Sequence, residues 1–239
     1  MIELKELTKR YEDGVLALDH VSYTIKPTEI FCLLGANGAG KTTTINVLLD
    51  FISPTSGSAT INGYDCNKLP LEAKKYISYV SENVRLYSMF TARQNLAFFA
   101  ELSGKKDLKK RDYDDVMRMV GLPENALTMR LKHFSKGMRQ KLGIAIALIK
   151  DPPAILMDEP TSGLDPKSAL EFIDQLRRLR DCGKAILMTT HDIFRAKMIA
   201  DRVGIMKQGR LVAIREKQDF KHEDLEEIYM HEMRIEETT

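Results

Sequence analysis

Residues 35–42, GANGAGKT, fit the pattern G-x-x-x-x-G-K-[ST]. Gly35, Gly38 and Gly40 let a backbone curl without Cβ clashes and turn its N–H groups inward, as a polyphosphate requires. Lys41 has the charge and reach for β- and γ-phosphates. The Thr42 hydroxyl suits Mg²⁺, and Thr43 adds a donor for a further phosphate oxygen. A chance Gly-rich turn is the competing reading. It is disfavoured because an apolar run, IFCLL (30–34), precedes the loop and a helix-forming stretch follows it. The segment implies a nucleoside triphosphate site.

A second cluster closes the stretch ILMDEP (155–160), where an apolar strand ends in two acids. Asp158, at the carboxyl end, is placed for the Mg²⁺ shell. Alternation along a strand predicts that Glu159 lies on the opposite side, free of the metal and available as general base. A helix-capping acid pair without catalytic duty is the alternative. A third stretch, HFSKGMRQKLG (133–143), reads as the start of a helix. Ser135 is a good N-cap, Gly137 leaves the first turn bare, and an apolar-periodic run continues to Ile149. Such a terminus offers unpaired N–H groups and partial positive charge, which suits an anion.

These groups need elements to hold them. IELKEL (2–7) and HVSYTIK (20–26) alternate apolar and polar side chains, as half-buried strands do. IFCLL, AILM (154–157) and AILMTT (185–190) are continuous apolar runs, predicting strands covered on both faces. An amphipathic helix is predicted over 166–180, and a hairpin with the turn KQGR joins RVGIM to RLVAI. From Thr91, a predicted N-cap, to Ile149 the pattern is almost wholly helical, interrupted by the charged connector SGKKDLKKRDYDD (103–115). The expected fold is one α/β nucleotide-binding domain over 1–239. It has an antiparallel β layer at its start, an inserted helical block at about 85–150, and an acidic helical tail at about 216–239 whose apolar positions are Leu225, Ile228, Tyr229 and Met233.

Composition adds limits. The 239 residues are 44% hydrophobic and 29% charged, with a net charge of +2, which gives no general reason to expect nucleic acid. Cys32, Cys66 and Cys182 form no CxxC, and the apolar setting of Cys32 predicts a buried free thiol in a reducing compartment. There is no charged-then-apolar leader and no apolar stretch of membrane-spanning length, so any membrane role is expected to pass through a partner chain.

Together the motifs resemble, over essentially the whole chain, the ATP-binding subunit of an ABC transporter, a P-loop NTPase. SKGMRQ resembles the family's signature loop, SGLD (162–165) its D-loop, and TTHD (189–192) its switch histidine; Tyr11, in KRYEDGVLALDHVS, matches the aromatic that stacks on adenine. The order and spacing are those of the family. The resemblance implies Mg²⁺ and ATP as ligands, with Tyr11, the loop residues Gly35, Asn37, Gly38, Ala39, Gly40, Lys41, Thr42 and Thr43, and Ser135, Lys136 and Gly137 in the ATP site. It implies two subunits head to tail, each signature helix capping the γ-phosphate held by its partner, and Ser162, Gly163, Leu164 and Asp165 at the contact between them. Glu159, His191 and Lys41 then carry catalysis, His191 holding γ-phosphate, Glu159 and attacking water in line. A lone histidine is usually structural; the TTHD context favours function, and His20, His133, His222 and His231 have no such context.

Two departures from the family pattern stand out. Glu82, in YVSENVRLY, occupies the place of a usual glutamine, keeping an oxygen for Mg²⁺ but adding negative charge. Phe134, Lys136 and Met138 replace the commoner Leu, Gly and Gln, and this SKGM form resembles subunits that power exporters of drugs, antibiotics or lipids. Thr28 stands where many members have Gly. The implied partners are a transmembrane permease and a second, identical ATP-binding subunit at the cytoplasmic face of the membrane, with no nucleic acid. Residues 82–100 form the expected coupling surface; Tyr87, Met89, Phe90 and Phe98 are candidates for an apolar groove, although filling of the local core is preferred for Phe98 and Phe99. The weighed alternative is a soluble ABC ATPase on ribosomes or DNA. Such relatives carry two ATP domains or a long coiled coil, and this chain shows neither. A kinase or GTPase would need a lid or an N-K-x-D, and neither is present.

Overall fold

Three continuous apolar runs build the centre of the molecule. In the computed structural model, which describes residues 1–222 and 224–234 (the side chains of 221 and 222 excepted), they are β3 (Glu29–Leu34), β7 (Ala154–Asp158) and β8 (Ala185–Thr190). All three are buried along their length and pair in parallel, β8 lying between β3 and β7. Period-2 geometry sends alternate side chains to opposite faces. Ile30, Cys32, Leu34, Ile155, Met157, Ile186 and Met188 therefore enter one core, shared with the helices. Phe31, Leu33, Leu156 and Leu187 enter another, shared with the antiparallel layer.

That layer is made of β1 (Ile2–Arg10), β2 (Leu16–Ile25), β4 (Ser56–Ile61) and β5 (Tyr64–Asp65), in the order β2-β1-β4-β5. The larger sheet is completed by β6 (Ile77–Val80), β9 (Arg202–Lys207) and β10 (Arg210–Glu216), in the order β10-β9-β3-β8-β7-β6. Only the β9–β10 edge is antiparallel, joined by the expected hairpin. Its turn residues Gln208 (φ 47°) and Gly209 (φ 83°) are both left-handed, as a tight two-residue turn demands. The mixed α/β fold agrees with the alternation of elements in the sequence.

The loop after β3 runs into α1 (Lys41–Leu48), beyond which Asp50 turns left-handed at φ 57° and Phe51 is exposed. After α2 (Pro70–Lys75) and β6, the helices α3 (Ala92–Leu102), α4 (Lys110–Met119) and α5 (Lys136–Lys150) precede β7. Thr91 caps α3 in a reciprocal box with Gln94, as expected. The charged connector is shorter than 103–115: α4 begins at Lys110, because the Asp112 carboxylate accepts the Lys109 N–H and Val116 and Met117 are buried.

The second half adds α6 (Pro166–Asp181), α7 (Ile193–Ile199), α8 (Asp219–His222) and α9 (Leu225–Arg234). The tail is thus two short helices. α9 buries Leu225 and Ile228, and its Glu232 pairs with Arg215 at 2.7 Å. Residues 235–239 and the side chain of His222 lie outside the described residues. Among the described residues, no helix is long and apolar enough to cross a membrane. Cys32 and Cys66 are buried free thiols, and burial pushes the Cys66 thiol up to about 12. Thr28 sits in a turn at φ 63°, a left-handed position that glycine fills without strain.

Candidate phosphate-binding and catalytic site

The carboxyl ends of β3, β7 and β8 finish side by side, since Leu34 pairs with Thr190 and Asp158 with Thr189. In parallel α/β sheets this edge is where ligands sit. Gly35 leaves β3 so close to the β9 backbone that a Cβ there would lie 2.6 Å from the Met206 carbonyl oxygen. Gly38 and Gly40 adopt φ 82° and 104°, closing the loop onto the start of α1. The far side is held by the β9–β10 turn, whose Gly209 N–H donates to the Ala39 carbonyl at 3.0 Å. This concave loop opening on a helix N-terminus is a phosphate cradle.

Lys41 lies within it. Its Nζ donates to the carbonyls of Gly35 (2.7 Å) and Ala36 (3.1 Å) and stands 3.7 Å from Glu159 Oε1. Burial pulls the ammonium below the ordinary lysine value, opposed by the charges of Glu159 and Asp158. Asp158 is buried at the strand end and accepts hydroxyl hydrogen bonds from Thr189 and, at 3.4 Å, from Thr42. A hydroxyl and a carboxylate facing each other suit Mg²⁺, which takes one or two protein ligands and completes its shell with water and phosphate oxygens. Thr42 and Asp158 therefore fit that ion.

Glu159 corrects an expectation. The strand ends at Asp158, and Glu159 turns left-handed (φ 45°), so strand alternation no longer separates the two acids. Both bear on Lys41. The turn is held by the Glu159 N–H, which donates to the Thr189 carbonyl (3.2 Å) and hydroxyl (3.1 Å). From there Glu159 Oε1 reaches His191 Nδ1 at 2.9 Å, with the imidazole more than half exposed just past β8. The structure thus brings together Lys41, Thr42, Asp158, Glu159 and His191. Thr189, which serves both acids, escaped the sequence reading; its signal was its place in TTHD, opposite Asp158 across the sheet.

Among the described residues, no hydrogen bond or ion pair joins Tyr11, Glu82 or the signature residues to this group. Tyr11 follows β1 on the antiparallel layer, with Lys9 Nζ 5.3 Å from its ring centre. Glu82 follows β6. Its carbonyl accepts Gln140 Nε2 at 2.7 Å, and it lines a cavity of about 230 Å³ with Arg85, Lys136 and Arg139. At the signature stretch, Ser135 caps α5 by accepting the Met138 N–H at 3.2 Å. Gly137 is backed by α6, where a Cβ would meet Ser168 Oγ at 3.2 Å, and Lys136 packs against Gly163. Among the described residues, no hydrogen bond or ion pair joins Ser135 or Lys136 to Lys41, Thr42 or Glu159.

Residues 82–100 border a larger cavity, about 430 Å³, between the edge of the sheet and α3 and α5. Phe99, Leu102 and Leu86 line it, together with Phe51, Val84 and Ile146. Beside it, Tyr87 stacks with Phe90 (5.1 Å between ring centres) and meets Phe98 edge-on (4.9 Å). Tyr87, Met89 and Phe90 are exposed, whereas Phe98 and Phe99 are partly buried.

Comparison with known proteins gives this geometry a family. A family model described as "ABC transporter" matches residues 18–162. The Bacillus subtilis "Uncharacterized ABC transporter ATP-binding protein YhcH" is 36% identical over 95% of this chain and 72% of its own length. The "Linearmycin resistance ATP-binding protein LnrL" of the same organism is 34% identical over 92% of this chain and 70% of its own. Among solved structures, the dimeric MJ0796, a bacterial ABC transporter cassette, superposes with a TM-score of 0.82 at 29% identity, over 91% of this chain and 99% of that one. The same cassette in a dimeric post-hydrolysis state bound to ADP and Pi gives 0.81.

Proposed function

This chain belongs to the ABC transporter family as an ATP-binding protein, and from that premise we propose that it powers an exporter by hydrolysing ATP head to tail with a second copy of itself. The observation that carries the reading is the contact of Glu159 with His191 at 2.9 Å and Lys41 at 3.7 Å, at the mouth of the phosphate loop. Lys41 and the loop N–H groups hold the β- and γ-phosphates, and Tyr11 stacks on the adenine. Mg²⁺, held by Thr42 and Asp158, supplies charge neutralisation at the phosphates. Glu159 takes a proton from the attacking water, and His191 fixes the carboxylate's orientation through Nδ1.

The signature helix completes the site from the other chain. The N-terminus of α5 offers Ser135, Lys136 and the backbone of Gly137 to the γ-phosphate of the partner copy, because an exposed helix start is an anion site. Ser162, Gly163, Leu164 and Asp165 lie at the contact. The cavity of about 430 Å³, with exposed Tyr87, Met89 and Phe90 beside it, receives an apolar element of a membrane-embedded partner. The resistance function in the name of LnrL, with the SKGM signature, supports export.

The deciding experiment is light scattering of the Glu159→Gln chain with and without ATP. ATP-dependent doubling of the mass is expected; a persistent monomer under saturating ATP overturns the head-to-tail reading. Affinity purification from gently solubilised membranes tests the partner: a multi-spanning protein at equal stoichiometry is expected, and ribosomes or DNA complexes in its place overturn the transport reading.

A further inference from the structure

Arg195 belongs to none of the motifs read from the sequence, yet it joins one of them to the residue just before another. It sits one turn into α7, with its side chain three-quarters buried. Its Nε pairs with Asp192 Oδ2 at 3.0 Å, and its Nη1 donates to the Thr161 carbonyl. Asp192 directly follows His191, and its other oxygen accepts the Arg195 N–H at 3.0 Å, capping α7. Thr161 is buried and its carbonyl also takes the Leu164 N–H at 3.2 Å, closing the turn that carries Ser162 and Gly163. That turn is tied back at its start, where the Ser162 N–H donates to the Glu159 carbonyl at 3.0 Å.

These contacts close a ring. Glu159 meets His191; the chain continues to Asp192, which holds Arg195; Arg195 holds Thr161; and Thr161 leads through Ser162 back to Glu159. On the opposite side, a Cβ on Gly163 would lie 2.8 Å from Lys136 Nζ of the signature helix. The 161–165 turn is thus gripped between a cation of α7 and a cation of α5. A guanidinium suits the first position, because its planar fork bonds two acceptors at once in fixed geometry.

We propose that Arg195 is a positioning residue: it fixes the first turn of α7 against the 161–165 turn, and thereby holds His191 at hydrogen-bond distance from Glu159. This rests on the two-copy ATPase reading above. A displacement of the turn by the partner copy then reaches the Glu159–His191 pair through Arg195, so the hydrolysis rates of the two sites become interdependent. The folded core does not depend on the contact, since Asp192 keeps its cap on α7 and Thr161 keeps the Leu164 N–H.

The test is steady-state ATP hydrolysis by the full chain carrying Arg195→Ala or Arg195→Lys, with melting curves beside it. Arg195→Ala is expected to lower kcat at least tenfold, leave KM for ATP within twofold, and bring the Hill coefficient to one, with the melting temperature little changed. Arg195→Lys is expected to fall between, because a single ammonium keeps the Asp192 pair without spanning to Thr161. Unchanged kcat and Hill coefficient in Arg195→Ala overturn the proposal. So does a kcat loss that Arg195→Lys fails to relieve at all. Light scattering of Arg195→Ala/Glu159→Gln with ATP separates the two claims. A dimer there with the kinetic loss in Arg195→Ala supports positioning, whereas a monomer in Glu159→Gln alone sinks the two-copy reading.

Discussion

The phosphate loop and the signature helix are both helix N-termini suited to anions, but they are finished to different degrees. The loop is enclosed: Gly35, Gly40 and Gly209 interlock with the β9 and β2 backbones, Lys41 is buried, and the ends of β7 and β8 deliver Asp158, Glu159 and His191 beside it. The start of α5 is a capped helix with exposed Ser135, backed by Ser168, Leu164 and Gly163 of its own chain. One anion site is thus built from within the chain. The other offers a surface, and on the two-copy reading its missing wall comes from the partner. Disturbing the interlocked glycines of the first should damage binding and fold together, while disturbing the second should damage hydrolysis and leave the fold whole.

The largest expected effect lies within the enclosed site. Glu159→Gln removes the proton acceptor while keeping size and a hydrogen-bonding oxygen. ATP turnover should fall by roughly 10²–10⁴-fold, the usual contribution of a positioned general base, with ATP affinity nearly unchanged. A stopped-flow or coupled assay with parallel nucleotide-binding titration checks both halves. Equal losses of affinity and turnover would assign Glu159 to binding instead.

A pair of glycines sharpens the comparison. Gly40→Ala forces a side chain onto φ 104° and places its Cβ 2.5 Å from the Ala17 carbonyl oxygen. A cost of about 1–3 kcal/mol for the strain alone is expected, seen as a clear drop in melting temperature. Gly137→Ala meets side-chain atoms alone, the nearest the Ser168 hydroxyl at 3.2 Å, at a helical backbone without positive φ. Alanine there is favoured over glycine by up to about 1 kcal/mol in a helix, so the melting temperature should hold or rise. On the two-copy reading hydrolysis should nevertheless fall, because the added methyl presses on Ser168 Oγ behind the helix and shifts the helix start offered to the partner's phosphate. A stable, active Gly137→Ala would erase the distinction between the two termini.

The same contrast governs what was legible in the sequence. The loop, the strand runs, the Thr91 cap and the 208–209 turn are local: each is written in residues that touch one another within a few positions. Departures arise where distant backbone decides. Glu159 was expected across the strand from Asp158, but Thr189, thirty residues on, turns its N–H and breaks the alternation. The carbonyl of Glu82 is held by Gln140 of α5, 58 positions away in sequence, a contact its own stretch does not announce. Arg195 carries no sequence signal, since its acceptor at Thr161 is brought close only by the pairing of β7 with β8.

Ser135→Ala separates the two roles of one side chain. Loss of the cap to the Met138 N–H should cost about 1 kcal/mol, a small shift in melting temperature. Loss of the hydroxyl from the anion surface should lower hydrolysis more than that shift accounts for. Ser135→Asp keeps the cap but places a negative charge at the phosphate approach, so its stability should be normal and its turnover low. Normal turnover in Ser135→Asp would remove the helix start from the reaction.

The smallest effect concerns the backing of that helix start. The Asp165 carboxyl is held below the ordinary carboxylate value, first by the Ser168 hydroxyl at 2.6 Å and then by the Ser168 N–H at 3.0 Å. A group whose folded value is depressed adds stability above its ordinary value and loses it as pH falls through the folded one. Melting temperature should therefore decline on acidification partly through Asp165, beginning near the ordinary carboxylate value and continuing below it. Asp165→Asn still caps α6 but carries no titrating charge, so the difference between variant and wild type should be widest near neutral pH and close in acid. Because the Ser168 hydroxyl that Asp165 holds is the atom facing Gly137, a difference that stayed constant with pH would also release Ser168 from its post behind the signature helix.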